Sequence, residues 1–148
     1  MGLATSRRKE IDVARVQEAV EAAELRTSAE IVVSIAPFFL GRVWPAARRA
    51  FARLGIARTR GRNGVLVFVV PARRQVVVLA DDGAVACIDP AIWRDAAARI
   101  AGAFARGHGT AGLVDGIERL ARALSRPFPY ERSDVNELPD APQLGGFS

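Results

Sequence analysis

Three aspartates, Asp81, Asp82 and Asp89, fall within one short stretch of the chain, and they are its best candidates for chemistry. Carboxylates in such a loop are the donors that hard cations such as Ca²⁺ and Mg²⁺ select, with backbone carbonyls and water completing the shell. The spacing is not that of an EF-hand, because Gly83 follows the pair at once and no acidic residue closes the loop. Upstream, Arg60, Arg62 and Asn63 make a compact set of donors suited to an anion such as phosphate. A cation loop beside an anion clamp is the minimal equipment of a metal-assisted phosphatase, although Thr59 is the one hydroxyl there to serve as nucleophile. The same residues also have a purely structural reading, with Asp82-Gly83 a turn and Asp89 a helix cap.

Two apolar runs must position these groups. Val65 to Val70 follows Asn63-Gly64, and Val76 to Ala80 leads straight into Asp81. Continuous runs of this length, bounded by turn residues, read as strands buried on both faces. The link Pro71 to Gln75 is too short for a crossover and predicts an antiparallel hairpin, which brings Asn63 and Asp82 to one sheet edge. Ile31 to Ile35 is a further β-branched strand, joined to the first run through a helix from Pro45 to Leu54, so those two strands should be parallel.

Three further helical segments complete the pattern. Val13, Val16, Val20 and Ala23 form one face of a helix over about 7–25. Asp89-Pro90 is a strong helix start, and Ile92, Ala96, Ile100 and Phe104 make its inward stripe. Gly107-His108-Gly109 breaks that helix, and the last one carries Leu113, Ile117, Leu120 and Leu124, with Gly112 and Gly116 spaced for close packing. The expected architecture is a single three-layer α/β/α domain over 7–126, a small mixed β-sheet with helices on both faces. An extended, proline-punctuated tail follows over 127–148.

Composition narrows the function classes. At 148 residues, 50% hydrophobic and 25% charged, the chain is of ordinary globular make-up. One cysteine and one histidine exclude a disulfide framework and a zinc site of the usual ligand count. Cys87, in a Val-Ala-Cys-Ile run, reads as a small buried hydrophobe, and His108 as an exposed loop residue. No apolar stretch approaches the roughly 20 residues that span a bilayer, and no apolar leader follows Met1, so the cytoplasm is the expected compartment, with peripheral membrane contact as an extension of it. Charge is segregated: between Ile31 and Ala80 there are nine arginines and no acidic residue. Such a block attracts anions, nucleic acid included, yet no nucleic-acid motif accompanies it, and coding bias toward arginine explains it as well.

The order of motifs resembles the TPM-domain family. Thr27-x-Ala29-Glu30-Ile31, the segment Ala52-Arg53-Leu54-Gly55-Ile56, Asn63-Gly64-Val65-Leu66, Phe104-x-x-Gly107 and Gly112-Leu113-x-x-Gly116-Ile117 carry the likeness over roughly residues 10–125. The tail Asp134 to Asp140 is similar to that of short bacterial members without signal peptide or transmembrane helix. The resemblance implies a domain that acts beside larger, often membrane-associated assemblies. It also implies divalent-cation binding, calcium among the ions, through carboxylates near the sheet, and in one branch an acid-phosphatase activity. Two departures stand out: Ala84-Val85-Ala86 replaces a common Gly-Leu-Glu segment, and Gly109 stands where an aromatic is common. The resulting expectation is a binding or scaffolding module with Asp81, Asp82 and Asp89 toward a cation and Arg60, Arg62 and Asn63 toward an anion. A weak metal-assisted phosphatase is the alternative, incidental nucleic-acid or anionic-surface binding the third reading, and an unidentified protein the expected partner.

Overall fold

Helix α1 (Val13–Glu24) begins where Asp12 leaves the helical conformation and its Oδ1 accepts the Arg15 N–H at 3.2 Å. The computed structural model describes residues 11–58, 61–131 and 142–144. The expected start of α1 near residue 7, together with Thr59, Arg60 and most of the tail, lies outside them. The elements then run β1 (Ile31–Ile35), α2 (Val43–Arg53), β2 (Val65–Val70), β3 (Gln75–Ala80), α3 (Asp82–Cys87), α4 (Pro90–Ala105), α5 (Gly109–Leu124) and β4 (Gln143–Leu144).

The sheet order is β3-β2-β1-β4. Strands β1 and β2 are parallel, with Ile31 beside Val65, and β2 and β3 form the antiparallel hairpin, with Val65 beside Ala80. Both pairings follow from connection length, as the sequence implied. The tail contributes more than a loose extension: Gln143 and Leu144 pair in parallel with Ser34 and Ile35. Burial corrects one expectation. Every residue of β1 and β2 is buried, whereas β3 is an edge strand with an exposed start and a half-buried end.

Helices cover both faces of the sheet, as expected. On one side α1, α4 and α5 pack over Val33, Val65, Val67 and Val69 with Ile100, Leu113, Ile117, Leu120 and Leu124. On the other, α2 sets Val43, Ala46, Ala47 and Ala50 against Val32, Leu66, Phe68 and Val70. Period-two alternation in the strands sends successive residues to opposite layers, which is why both runs are apolar throughout. Small residues decide how closely α4 and α5 approach. A Cβ at Gly112 would lie 2.3 Å from the Ala103 Cβ, and one at Gly116 would lie 2.5 Å from the Ile100 Cδ1.

Thr27, at the head of the first family motif, acts as a clasp. Its buried hydroxyl accepts the Ala29 N–H at 3.1 Å and reaches the Leu124 and Phe128 carbonyls. Thr27 also bridges to Pro129, tying the end of α5 to the entry of β1. Thr27→Val keeps the shape and orphans the Ala29 N–H, so urea unfolding should show a loss of about 1–2 kcal/mol. Trp93 gives the opposite case. Its indole is 8% exposed and Nε1 has no hydrogen-bond partner among the described residues. Trp93→Phe therefore removes no bond, and its cost in the same measurement should be only that of the lost ring volume, about 1–2 kcal/mol.

Candidate functional site

The sheet has two chemically different edges. At the first, the amino ends of β1 and β2 meet the carboxyl end of β3. The Asp81 N–H donates to the Gly64 carbonyl at 2.9 Å and the Val65 N–H to the Glu30 carbonyl at 2.8 Å. Asp81 caps α3, its Oδ1 accepting the Asp82 N–H at 2.8 Å. Arg62 closes over it, with Nε 2.8 Å from Asp81 Oδ2 and Nη2 3.2 Å from Asp81 Oδ1, and then reaches Asp82 Oδ2 at 3.4 Å. Arg62 adopts a left-handed backbone, φ 51°, an uncommon conformation for a side chain of this size.

Two glycines allow this closure. A Cβ on Gly83 would stand 2.5 Å from the Gly61 carbonyl oxygen and 2.6 Å from that of Arg62. One on Gly64 would stand 2.4 Å from Ile56 Cγ2 and 2.8 Å from the Ile56 carbonyl oxygen. The Asn-Gly and Asp-Asp-Gly motifs are thus sites of backbone contact between loops. Asn63 is buried and turns its amide toward the Ser28 carbonyl, at 3.5 Å.

The hydrogen bonds from Arg62 lower the Asp81 pKa from its ordinary value. Burial opposes them, while the Asp82 N–H and the Arg62 charge add to the lowering. Arg62 is correspondingly raised, through its hydrogen bond to Asp81. A carboxylate depressed in the folded state contributes stability that is present above its unfolded pKa of about 3.9 and is lost as pH falls through the folded value. The gap in thermal midpoint between wild type and Arg62→Ala should therefore be widest near neutrality and close in acid, as a pH series of melting curves would show.

The predicted residues are only partly brought together. Asp81 and Asp82 converge with Arg62, whereas Asp89 lies past the other end of α3 and caps α4, its Oδ1 accepting the Ala91 N–H at 2.9 Å. Among the described residues, no three His, Cys, Asp or Glu side chains form a group that could hold a metal ion. What the loop offers a cation is two carboxylates, one of them 91% exposed, with a guanidinium already against them. Of the expected anion donors, Arg60 lies outside the described residues, Arg62 is engaged by the aspartates and Asn63 faces inward.

Cys87 departs from expectation. It is exposed, because residues 82–87 form a short helix that buries Ala84 and turns Val85, Ala86 and Cys87 outward, while the next residue, Ile88, enters the core. His108 is exposed at the N-cap of α5, as read from the sequence. Gly109 is explained by Phe104, whose Cε1 lies 2.4 Å from where a Cβ would be. A shallow cleft of about 550 Å³ between α4 and α5, lined by Ile92, Asp95, Arg119 and Arg122 among others, does not include the acidic loop.

The apolar cluster at the opposite edge was not foreseen as a site. Phe38, Leu40 and Trp44 stand there 67%, 85% and 51% exposed, between β1 and the first turn of α2. The available signal was Phe38-Phe39-Leu40, an apolar triplet in a loop between Pro37 and Gly41.

A small mixed sheet with helices on both faces, and a polar loop at the hairpin edge, defines a single α/β domain. Residues 9–123 match the family model described as the TPM domain, and the chain belongs to that family. It is similar to the BA42 protein of the psychrophilic bacterium Bizionia argentinensis, solved by NMR. The two share 31% identity over 90% of this chain and 92% of that one, with a TM-score of 0.82. The N-terminal domain of the cg2496 protein from Corynebacterium glutamicum, 13% identical over 91% of this chain and 76% of that one, with a TM-score of 0.58, shares the fold. No curated protein matches the chain. None of the helices in the described residues is long and apolar enough to cross a membrane.

Proposed function

We propose that this TPM domain is a binding module and that its Asp81–Asp82 loop takes a divalent cation in exchange for the Arg62 guanidinium. The observation that carries this reading is the pairing of a buried, oriented carboxylate with a solvent-facing one: Asp81 is 5% exposed and Asp82 91%, and both touch a single half-exposed arginine. Two carboxylates supplemented by water and backbone carbonyls are a modest oxygen set, consistent with weak binding of Ca²⁺ or Mg²⁺. Asp89 takes no part. For a hydrolytic role the sequence offers Thr59, which lies outside the described residues, so the reading rests on the two carboxylates, which by themselves support binding.

Thermal unfolding in millimolar Ca²⁺ or Mg²⁺ against chelator tests the reading. A cation at 100 times its dissociation constant stabilises by about 2.7 kcal/mol. The shift should vanish in Asp82→Asn and grow in Arg62→Gln, where no cationic side chain competes. Equal midpoints with and without cation, in wild type and Arg62→Gln alike, would reduce the loop to a structural ion pair.

A further inference from the structure

We propose that the edge of the sheet opposite the acidic loop docks on an anionic lipid surface, with Phe38, Leu40 and Trp44 entering the interface and Arg42, Arg48 and Arg49 meeting the headgroups. The carboxyl ends of β1, β2 and β4 emerge at this edge, together with the start of β3.

The loop after β1 is held in a fixed shape. Ala36 donates its N–H to the Val69 carbonyl at 2.8 Å, anchoring the loop at the sheet. Arg73, from the turn between β2 and β3, donates to the Gly41 carbonyl at 2.6 Å and to the Phe39 carbonyl at 2.8 Å. Its guanidinium also lies over the Phe39 ring, 4.7 Å from the centroid. Phe39 turns inward and meets Phe68 edge to face at 6.5 Å. With Phe39 pinned inside, its neighbours Phe38 and Leu40 are presented outward, and Trp44 joins them from α2.

The surrounding charge selects the occupant. Arg42, Arg48 and Arg49 are exposed, and none of them forms an ion pair among the described residues. Trp44 and Arg48 are four residues apart and share one face of α2. No acidic residue occurs between Ile31 and Ala80, so nothing in this segment offsets the positive field. Aromatic and leucine side chains at the tip with arginines behind them are the arrangement that partitions into the boundary between headgroups and acyl chains, favoured by anionic lipid. Tryptophan is at home at that depth, and arginine stems can lie along apolar surface while their heads stay wet.

Co-sedimentation with vesicles rich in phosphatidylserine, against pure phosphatidylcholine, tests this. The wild-type chain should bind the anionic vesicles, less so as salt is raised, and leave the zwitterionic ones in the supernatant. Leu40→Asp and the double variant Arg48→Glu/Arg49→Glu should each weaken binding by about tenfold or more. Both change exposed positions and should keep the wild-type melting curve. In Trp93→Phe, the emission of Trp44 should shift to the blue as anionic vesicles are added. Asp82→Asn should bind as wild type does, which separates this surface from the cation loop. Absence of binding to anionic vesicles at low salt, or undiminished binding by Leu40→Asp, would overturn the proposal. So would self-association of the wild type that Leu40→Asp abolishes, since the patch would then belong to a second copy of the chain.

Discussion

Phe68→Ala should cost about 3–5 kcal/mol, a drop of roughly 10–20 °C in thermal midpoint. Phe68 is fully buried at the centre of β2 and is among the largest side chains in the layer beneath α2. The residues around it give little chance of collapse. Ala46, Ala47 and Ala50 are too small to refill the space, and Val32, Leu66 and Val70 sit on paired strands held by the sheet ladder. The ring is also the floor for Phe39, through their edge-to-face contact. The variant should therefore loosen the loop over 36–42 as well as the core. Equilibrium unfolding gives the energy, and faster amide exchange of Ala36, whose N–H bonds to Val69, reports the loop. A cost under about 1 kcal/mol would mean that the second layer adds little to the fold.

Gly83→Ala gives the second large effect, and its sign is the informative part. Inside an ordinary helix, replacing glycine by alanine gains about 1 kcal/mol. Here the new Cβ would be driven against two carbonyl oxygens of the facing loop, 2.5 and 2.6 Å away, and backbone cannot rotate aside as a side-chain tip can. The loops must part, stretching the 3.3 Å bond from the Ala84 N–H to the Arg62 carbonyl and shifting Arg62 relative to Asp81. A net loss of about 2–3 kcal/mol is expected, more for Gly83→Val. Urea denaturation decides it: a stabilised Gly83→Ala would show that the two loops have slack between them.

Much of the site's framework was legible before any coordinates. The brevity of Pro71 to Gln75 forces an antiparallel return, and from that alone Asn63 and Asp82 must share an edge. Asp89-Pro90 announced a helix start because an acceptor followed by a fixed φ satisfies a first turn with little help from elsewhere. The short helix α3 escaped because Asp-Asp-Gly is equally good turn chemistry. What tips it into a helix is the long-range closure of Arg62 over Asp81, with Gly61 and Arg62 pressed against Gly83. The strand at Gln143 and Leu144 escaped for a similar reason, since a two-residue pairing has no periodicity to read.

The sequence by itself determined the elements whose local signal and burial agree: the two apolar strands, the helix stripes ending at Leu124, and the family motifs in their order. Only the tertiary structure decided which polar groups are spent on one another. Arg62, written among anion donors, is bound to two carboxylates, and Thr27 clasps the end of α5. It also decided that Phe38, Leu40 and Trp44 remain in solvent while Phe39 in the same loop is half-buried against Phe68. Periodicity reports which residues share a face of one element. Whether that face is covered depends on what the rest of the chain brings to it, and that is a property of the assembled fold.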